Sequence, residues 1–308
     1  MASLADALAK SGYTSAEKTQ VTHWLDTGYP VLNHRVSGKY IGGGLPMGRI
    51  IEIFGPPSAG KTAIATACMV SAQEAGGFAM FQDHETSYDE GLGVDEVVKV
   101  WEMIRSGEFG IDKDAPIVCV FDSLASMIPK SKWDKDAADF NMNDNTALAR
   151  ATSAAFPTLS KKASQLNVCV IFLNQARTKI GVMFGDPTTT PGGNAPEFYA
   201  SVRLKLGGSK MKDDAGKTVG CQAVKNKVYR PFLKCEWDFV FQEDGSGKFD
   251  AVGGVLEELK TLKLIEMAGN YYMWEGKKYY KAALTKKIED EGLKDVLYAM
   301  LPKDEVKA

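Results

Sequence analysis

The 308-residue chain predicts an α/β fold: a mainly parallel central sheet flanked by helices, with a short N-terminal helix and a small α+β C-terminal domain. Three observations predict it. Near-continuous apolar runs alternate with helix-compatible segments, the pattern of strands buried on both faces. One of those runs, Ile50-Ile51-Glu52-Ile53-Phe54, feeds a glycine-bounded turn and then a helical stretch from Ala63 to Val70. From Gly253 the composition changes to short helical and hairpin-like segments.

Taken in order, residues 1–20 carry Leu4, Ala7 and Leu8 at helical spacing, then a polar Thr14-Ser15-Ala16-Glu17. So short a helix cannot bury itself, and either packs on a neighbouring subunit or frays. Thr27 to Pro30 and Gly42 to Gly48 are turn-rich and lead into the first core strand. Further strands are expected at Phe78 to Gln82, Pro116 to Phe121, Val168 to Asn174 and Ala200 to Leu206, with Cys221 to Lys227 and Leu233 to Phe241 pairing antiparallel beyond them. The C-terminal part reads as a helix, a hairpin over Tyr271 to Tyr280 and an amphipathic run from Ile288 to Leu301.

Lys plus Arg number 37 against 39 Asp plus Glu, so a net charge of −2 gives no global attraction to nucleic acid or membrane. Any DNA binding must come from a local patch or from repeated subunits. The five cysteines are scattered, and three lie in apolar runs where a thiol packs as a small hydrophobe. That pattern implies a reducing setting and no metal site. Neither a membrane span nor a signal peptide is legible, so the expectation is a soluble, cytoplasmic protein.

The chemistry starts at Gly55-Pro56-Pro57-Ser58-Ala59-Gly60-Lys61-Thr62, a G-x-x-x-x-G-K-T loop between strand and helix. Glycine at both ends lets backbone N–H groups curl around a phosphate while the next helix, opening at Ala63, points its N-terminus at the anion. Lys61 reaches the terminal phosphates and Thr62 holds Mg²⁺. The strand Ile117 to Phe121 ends in Asp122, which completes the metal shell through water. Another strand ends Asp83-His84-Glu85, and Glu85 is the choice for the carboxylate that activates water, with Asp83 and His84 as competitors. Asn174-Gln175 ends a third strand, where a neutral amide can sense a γ-phosphate. The long Gly/Thr-rich loop that follows has the makings of an order–disorder switch.

Several separated segments resemble bacterial RecA recombinases. They are Gly43 to Ile53 before the phosphate loop, Asn174-Gln175 before Lys179 to Gly185, Gly192-Gly193-Asn194-Ala195 before Phe198 to Leu204, then Val224-Lys225-Asn226-Lys227 and Pro231-Phe232. The resemblance covers roughly 22–280 and implies a RecA-like P-loop core at 36–252, a polymerisation segment at 1–35 and the small domain at 253–308. It implies an ATP- and Mg²⁺-dependent recombinase that forms filaments on single-stranded DNA, pairs it with homologous duplex and exchanges strands. Single-strand-binding and mediator proteins are further candidate partners. By this resemblance Glu85 is the catalytic carboxylate and Gln175 the γ-phosphate sensor. Residues 176–194 form the second DNA loop, with Ala176, Arg177, Thr178, Lys179, Gly192, Gly193 and Asn194 on DNA. Arg150 is a basic residue beside the first DNA loop at about 134–145. Lys225 and Lys227 reach across to a neighbour's ATP, and Phe198 lies at that interface.

The chain departs from the family in places that point to a divergent branch, such as a phage-encoded one. No aromatic matches the residue that stacks on adenine, which leaves Tyr88 and Asp89 as base contacts. Val94 to Trp101 looks short for the strand expected there, through trimming or missing residues. The first DNA loop is acidic and lacks glycine, Pro157 replaces a DNA-facing arginine, and 302–308 lack an acidic run. Two other functions use the same core. A ring helicase motor would translocate directionally, and a non-enzymatic mediator would use nucleotide as a switch.

Overall fold

The computed structural model describes residues 21–84, 94–127, 146–178, 188–210, 216–241 and 247–303, with backbone alone at 208–210. The expected N-terminal helix lies outside the described residues. Trp24–Leu25 (β1) pairs with Leu45–Pro46 (β2), and Pro30–Ser37 between them is helix α1. Its first residue is proline, whose fixed φ suits a position without a helical N–H partner, and Gly38 ends it at φ 78°. Next come β3 (Ile50–Gly55), α2 (Lys61–Glu74), β4 (Phe78–Asp83), α3 (Val94–Ser106), β5 (Ile117–Asp122), α4 (Ala147–Leu166) and β6 (Val168–Gln175). The short pair β7 (Arg177–Thr178) and β8 (Thr188–Thr189) precedes α5 (Ala195–Tyr199), β9 (Val202–Lys210), β10 (Gly216–Asn226), β11 (Lys234–Phe241) and β12 (Gly247–Phe249).

Eight strands form one sheet in the order β12-β11-β10-β9-β3-β6-β5-β4. The five from β9 to β4 run parallel, and β9 to β12 pair antiparallel, as expected for β10 and β11, with β12 an edge strand that the sequence did not suggest. Alternate residues serve opposite faces, because side chains of a strand project with period two. Ile51, Ile53, Val118, Val120, Cys169 and Ile171 join a core under α1, α2 and the C-terminal helices, whereas Ile50, Ile117, Cys119, Phe121, Val170 and Phe172 pack against α3 and α4. All five cysteines are buried and unpaired.

The segment 94–101, expected as a shortened strand, is instead the first half of helix α3. Val97, Val98, Trp101 and Ile104 recur at helical spacing and are all buried, so the apolar residues form a helix stripe and not an alternating strand.

The C-terminal part comprises α6 (Ala251–Thr261), β13 (Met267–Ala268), β14 (Tyr271–Trp274), β15 (Lys277–Tyr279), α7 (Lys281–Asp290) and α8 (Lys294–Tyr298). The expected hairpin is present: Glu275 and Gly276 both take positive φ, the requirement of its tight turn, and Tyr272 and Trp274 are buried. The amphipathic run toward Leu301 is split, because Gly292 turns the chain at φ 66° between α7 and α8. Leu284, Ile288, Leu297 and Leu301 join the same apolar cluster as β9 to β11. Helix α6 is tied to α1 by Arg35, whose Nη2 donates to both Glu258 oxygens at 2.8 and 2.7 Å, and by the Tyr40 hydroxyl donating to Glu258 at 2.6 Å. Among the described residues no helix is long and apolar enough to cross a membrane.

Gly254 lies in α6 against Tyr29, and a Cβ there would stand 2.7 Å from Tyr29 Cε2. The Tyr29 hydroxyl donates to Glu236 O at 2.9 Å and cannot move away without losing that bond. Gly254→Ala gains up to about 1 kcal/mol of helix propensity, but overpacking costs about 1–3 kcal/mol. The expected outcome is net destabilisation, read as a lower urea midpoint at unchanged slope.

Candidate functional site

Parallel pairing aligns the carboxyl ends of β3, β6, β5 and β4 at one edge of the sheet. Gly55 stands opposite Gln175, and Asp83 opposite Asp122. The phosphate loop leaves β3 there. Gly55 permits a close approach, since a Cβ at that position would lie 2.6 Å from Leu206 O. Ser58 at φ 55° and Gly60 at φ 86° curl the loop, and α2 begins at Lys61 with no side-chain cap. Its first N–H groups are therefore donors for an anion. Pro56, Pro57 and Ser58 are exposed, Ala59 is buried beneath the loop, and Ala63 is half-buried in the first turn of α2.

Lys61 Nζ donates to the loop's own carbonyls, Pro56 O at 2.9 Å and Gly55 O at 3.3 Å. A phosphate chain in the loop offers this ammonium a charged acceptor in place of two neutral ones. The Thr62 hydroxyl donates to Asp122 Oδ2 at 2.9 Å, bringing together a hydroxyl and a carboxylate oxygen from two elements. These are hard oxygen ligands at a helix N-terminus, so the residues fit a magnesium nucleotide. Asp83 and His84 reach the same edge, where the His84 N–H donates to Asp122 O at 2.6 Å and burial lowers the imidazole pKa. Glu85 and Asp89 lie outside the described residues, as do Tyr88, Lys179 and the acidic segment 134–145.

Gln175 is half-buried beside the phosphate loop, and the next residue locks the two together: Ala176 N–H donates to Gly55 O at 3.1 Å. Arg177 and Thr178 are exposed and pair with Thr189 and Thr188, which makes a two-stranded stem for the second loop. Gly192 is buried, with its carbonyl taken by the Thr152 hydroxyl at 2.8 Å, while Gly193 and Asn194 are exposed. A Cβ on Gly193 would stand 2.9 Å from Ala149 Cβ, so glycine lets this turn lie against α4. Exposed Arg150 is the next residue of that helix and reaches Thr146 Oγ1 at 2.8 Å. Pro157 is exposed in the same helix.

Lys225 and Lys227 do not join the phosphate loop of their own chain. Lys225 pairs with Arg203, level with Glu52 and not with the carboxyl edge, and β10 lies two strands from β3. Its ammonium donates to Phe198 O at 3.0 Å and to Glu197 O. Burial, with Lys227 and Arg203 nearby, lowers its pKa to about 8 against the opposing pull of Glu197 and Glu52. Phe198 is 70 % exposed and borders two open clefts of about 620 and 630 Å³, the first including Lys227 and Tyr199, the second Lys225 and Arg203.

Two residues gain a place that their sequence context did not assign. Glu52 is fully buried, accepting from Asn174 Nδ2 at 2.9 Å and from Arg203 Nε at 2.6 Å. A lone carboxylate in an apolar strand is the signal that could have found it. Removing one partner of such a pair costs about 3–5 kcal/mol. Lys217 of β10 donates to Ser58 O of the phosphate loop, a long-range contact without a sequence signature.

The profile of the RecA N-terminal domain matches residues 15–246. Protein RecA of Cytophaga hutchinsonii is 38% identical over 252 residues, which is 77% of this chain and 69% of that protein. Protein RecA of Bacteroides thetaiotaomicron is 38% identical over 287 residues, 88% of this chain and 82% of its own length. Protein RecA of Chloroherpeton thalassium is 35% identical over 277 residues, 84% and 76%.

The lowered pKa of Lys225 has a sign that can be checked. An unfolded lysine keeps its proton to pH ~10.4, whereas the folded isolated chain releases it near pH 8, at about 8 for this group. Between those values the unfolded chain binds more protons, so stability rises with pH across that window, and below pH 8 the cost of holding the charged ammonium in the folded chain is present in full. Pulse labelling with an amine-reactive reagent, read by mass spectrometry, should give Lys225 a reactivity midpoint about two pH units below that of exposed lysines.

Proposed function

The chain belongs to the RecA family of recombinases, and from that premise we propose that it assembles as a filament on single-stranded DNA, pairs that strand with homologous duplex and exchanges strands, with DNA-stimulated ATP hydrolysis. The observation that carries the reading is the register of Gln175 with Gly55 and the hydrogen bond from Ala176 to Gly55. It puts the first residues of the second loop against the phosphate loop, so a change at one is felt at the other.

ATP with Mg²⁺ supplies the phosphoryl bond whose cleavage resets the assembly. Lys61 would offset negative charge at the terminal phosphates, and Thr62, with Asp122 through water, would hold the ion. Glu85 orients water, and Gln175 reads whether the terminal phosphate is there. Gly55 to Ala63 cradle the nucleotide, with Asp89 toward the base. Lys225 and Lys227, directed away from their own phosphate loop, act on the nucleotide of the next subunit across the face that bears Phe198. Cations from a second molecule that reach a developing charge do the work of an arginine finger. Arg150, Ala176, Arg177, Thr178, Lys179, Gly192, Gly193 and Asn194 hold the strand. Repeated along a filament they give a continuous basic track in spite of the chain's net charge of −2.

The test is an ATPase assay with and without single-stranded DNA, beside electron microscopy of the same samples. Turnover should rise with DNA and filaments should form with ATP. In Glu85→Gln turnover should fall about 10²–10⁴-fold while filaments persist. A wild-type chain that forms filaments yet never hydrolyses ATP would make it a nucleotide-switched mediator instead.

A further inference from the structure

Glu52 sits in the middle of an apolar strand with no exposed surface, and what surrounds it explains why a carboxylate is there. On one side Asn174 Nδ2 donates to Oε1 at 2.9 Å, and on the other Arg203 Nε donates to Oε2 at 2.6 Å. Neither partner stops at Glu52. Asn174 Nδ2 also reaches Pro191 O at 3.0 Å, and its Oδ1 accepts the backbone N–H of Gln175 at 3.0 Å. Arg203 Nη2 reaches Thr190 Oγ1 at 3.3 Å, its guanidinium lies 4.8 Å over the Phe54 ring, and its Nη1 stands 3.5 Å from the Glu197 carboxylate. Lys205, two residues on along the same strand, donates to Thr188 Oγ1 at 2.8 Å.

The two ends of the second loop are thus bolted to one buried carboxylate. Its outgoing end is fixed at Gln175 through Asn174, and its return limb at Thr190 and Pro191 through Arg203 and Asn174. Both N–H donors of the Asn174 amide are engaged, and its carbonyl accepts from Gln175. Gln175 cannot shift its backbone without disturbing this amide, and the amide cannot turn without releasing Pro191 or Glu52. A buried carboxylate tolerates no half-made arrangement, since each lost bond leaves a desolvated charge. The cluster therefore favours discrete arrangements over gradual ones.

We infer that Glu52, through Asn174 and Arg203, is a positioning residue that couples the nucleotide seen by Gln175 to the placement of the DNA-loop stem, and so makes DNA affinity depend on nucleotide. This rests on the function proposed above. The bland alternative is that the cluster only holds the sheet together, and the two differ in one ratio. The affinity of the full chain for a fluorescent oligo-dT is measured with and without a slowly hydrolysed ATP analogue, for wild type, Glu52→Gln and Thr190→Val. Coupling in the wild type should be about 5- to 150-fold. In Glu52→Gln and Thr190→Val the ratio should shrink, roughly 2- to 30-fold, while a fluorescent ATP analogue still binds. By reciprocity, DNA should lose the same factor in its effect on nucleotide affinity. Variants that bind DNA more weakly in both states at the wild-type ratio would show a merely structural cluster and overturn the inference. Should Glu52→Gln fail to fold, Thr190→Val decides, because it removes one hydroxyl and leaves the ion pair intact. A wild-type ratio of one would instead sink the nucleotide-gated reading itself, and this inference with it.

Discussion

Parallel pairing of β3 with β6 is the constraint on which the rest depends. Because Gly55 and Gln175 end their strands at the same level, the phosphate loop and the second loop leave the sheet side by side. Pairing of β5 with β6 and β4 brings Asp122 and Asp83 to the same edge. None of these residues is near another in the chain. A slip of one residue in any strand would turn its core face to the wrong side and withdraw its terminal residue from the site. The two apolar cores above and below the sheet hold that register, and the chemistry depends on them as much as on the site residues.

Charge is distributed by the same logic. The chain as a whole is slightly acidic, yet its cations are placed with purpose: Lys61 at the loop, Arg150 beside the Gly192-Gly193 turn, Arg177 on the stem, and Lys225 and Lys227 facing the clefts around Phe198. Buried charge is treated differently. Glu52 and Glu258 each take an arginine plus a second hydrogen-bond donor, from Asn174 and Tyr40 respectively. A carboxylate out of water needs both its charge and its lone pairs answered. One of these clusters fastens α1 to α6, and the other fastens the second loop's stem to β3.

Local signals were enough for much of this. The G-x-x-x-x-G-K-T loop, the strand ends at Asp122 and Asn174-Gln175, the antiparallel edge and the 271–280 hairpin are legible because each depends on residues adjacent in the chain. The segment 94–106 is helix where a strand is expected, although Val97, Val98, Trp101 and Ile104 already have helical spacing in the sequence. Asn174 was legible only as an amide at the right edge. Its use, consumed by Glu52 and Pro191 and not aimed at a phosphate, depends on partners 122 and 17 residues away.

The sequence by itself determined the fold class, which apolar runs become strands and the strand–loop–helix setting of the G-x-x-x-x-G-K-T motif, since backbone propensity, hydrophobic period and turn chemistry are written in neighbouring residues. Only the tertiary structure decided that Glu52 joins β6 to β9, that Lys217 reaches Ser58, and that Lys225 turns toward Phe198 and away from its own phosphate loop. Those are contacts between side chains that register and packing bring together, and no spacing along the chain encodes the distance between two strands once they are folded.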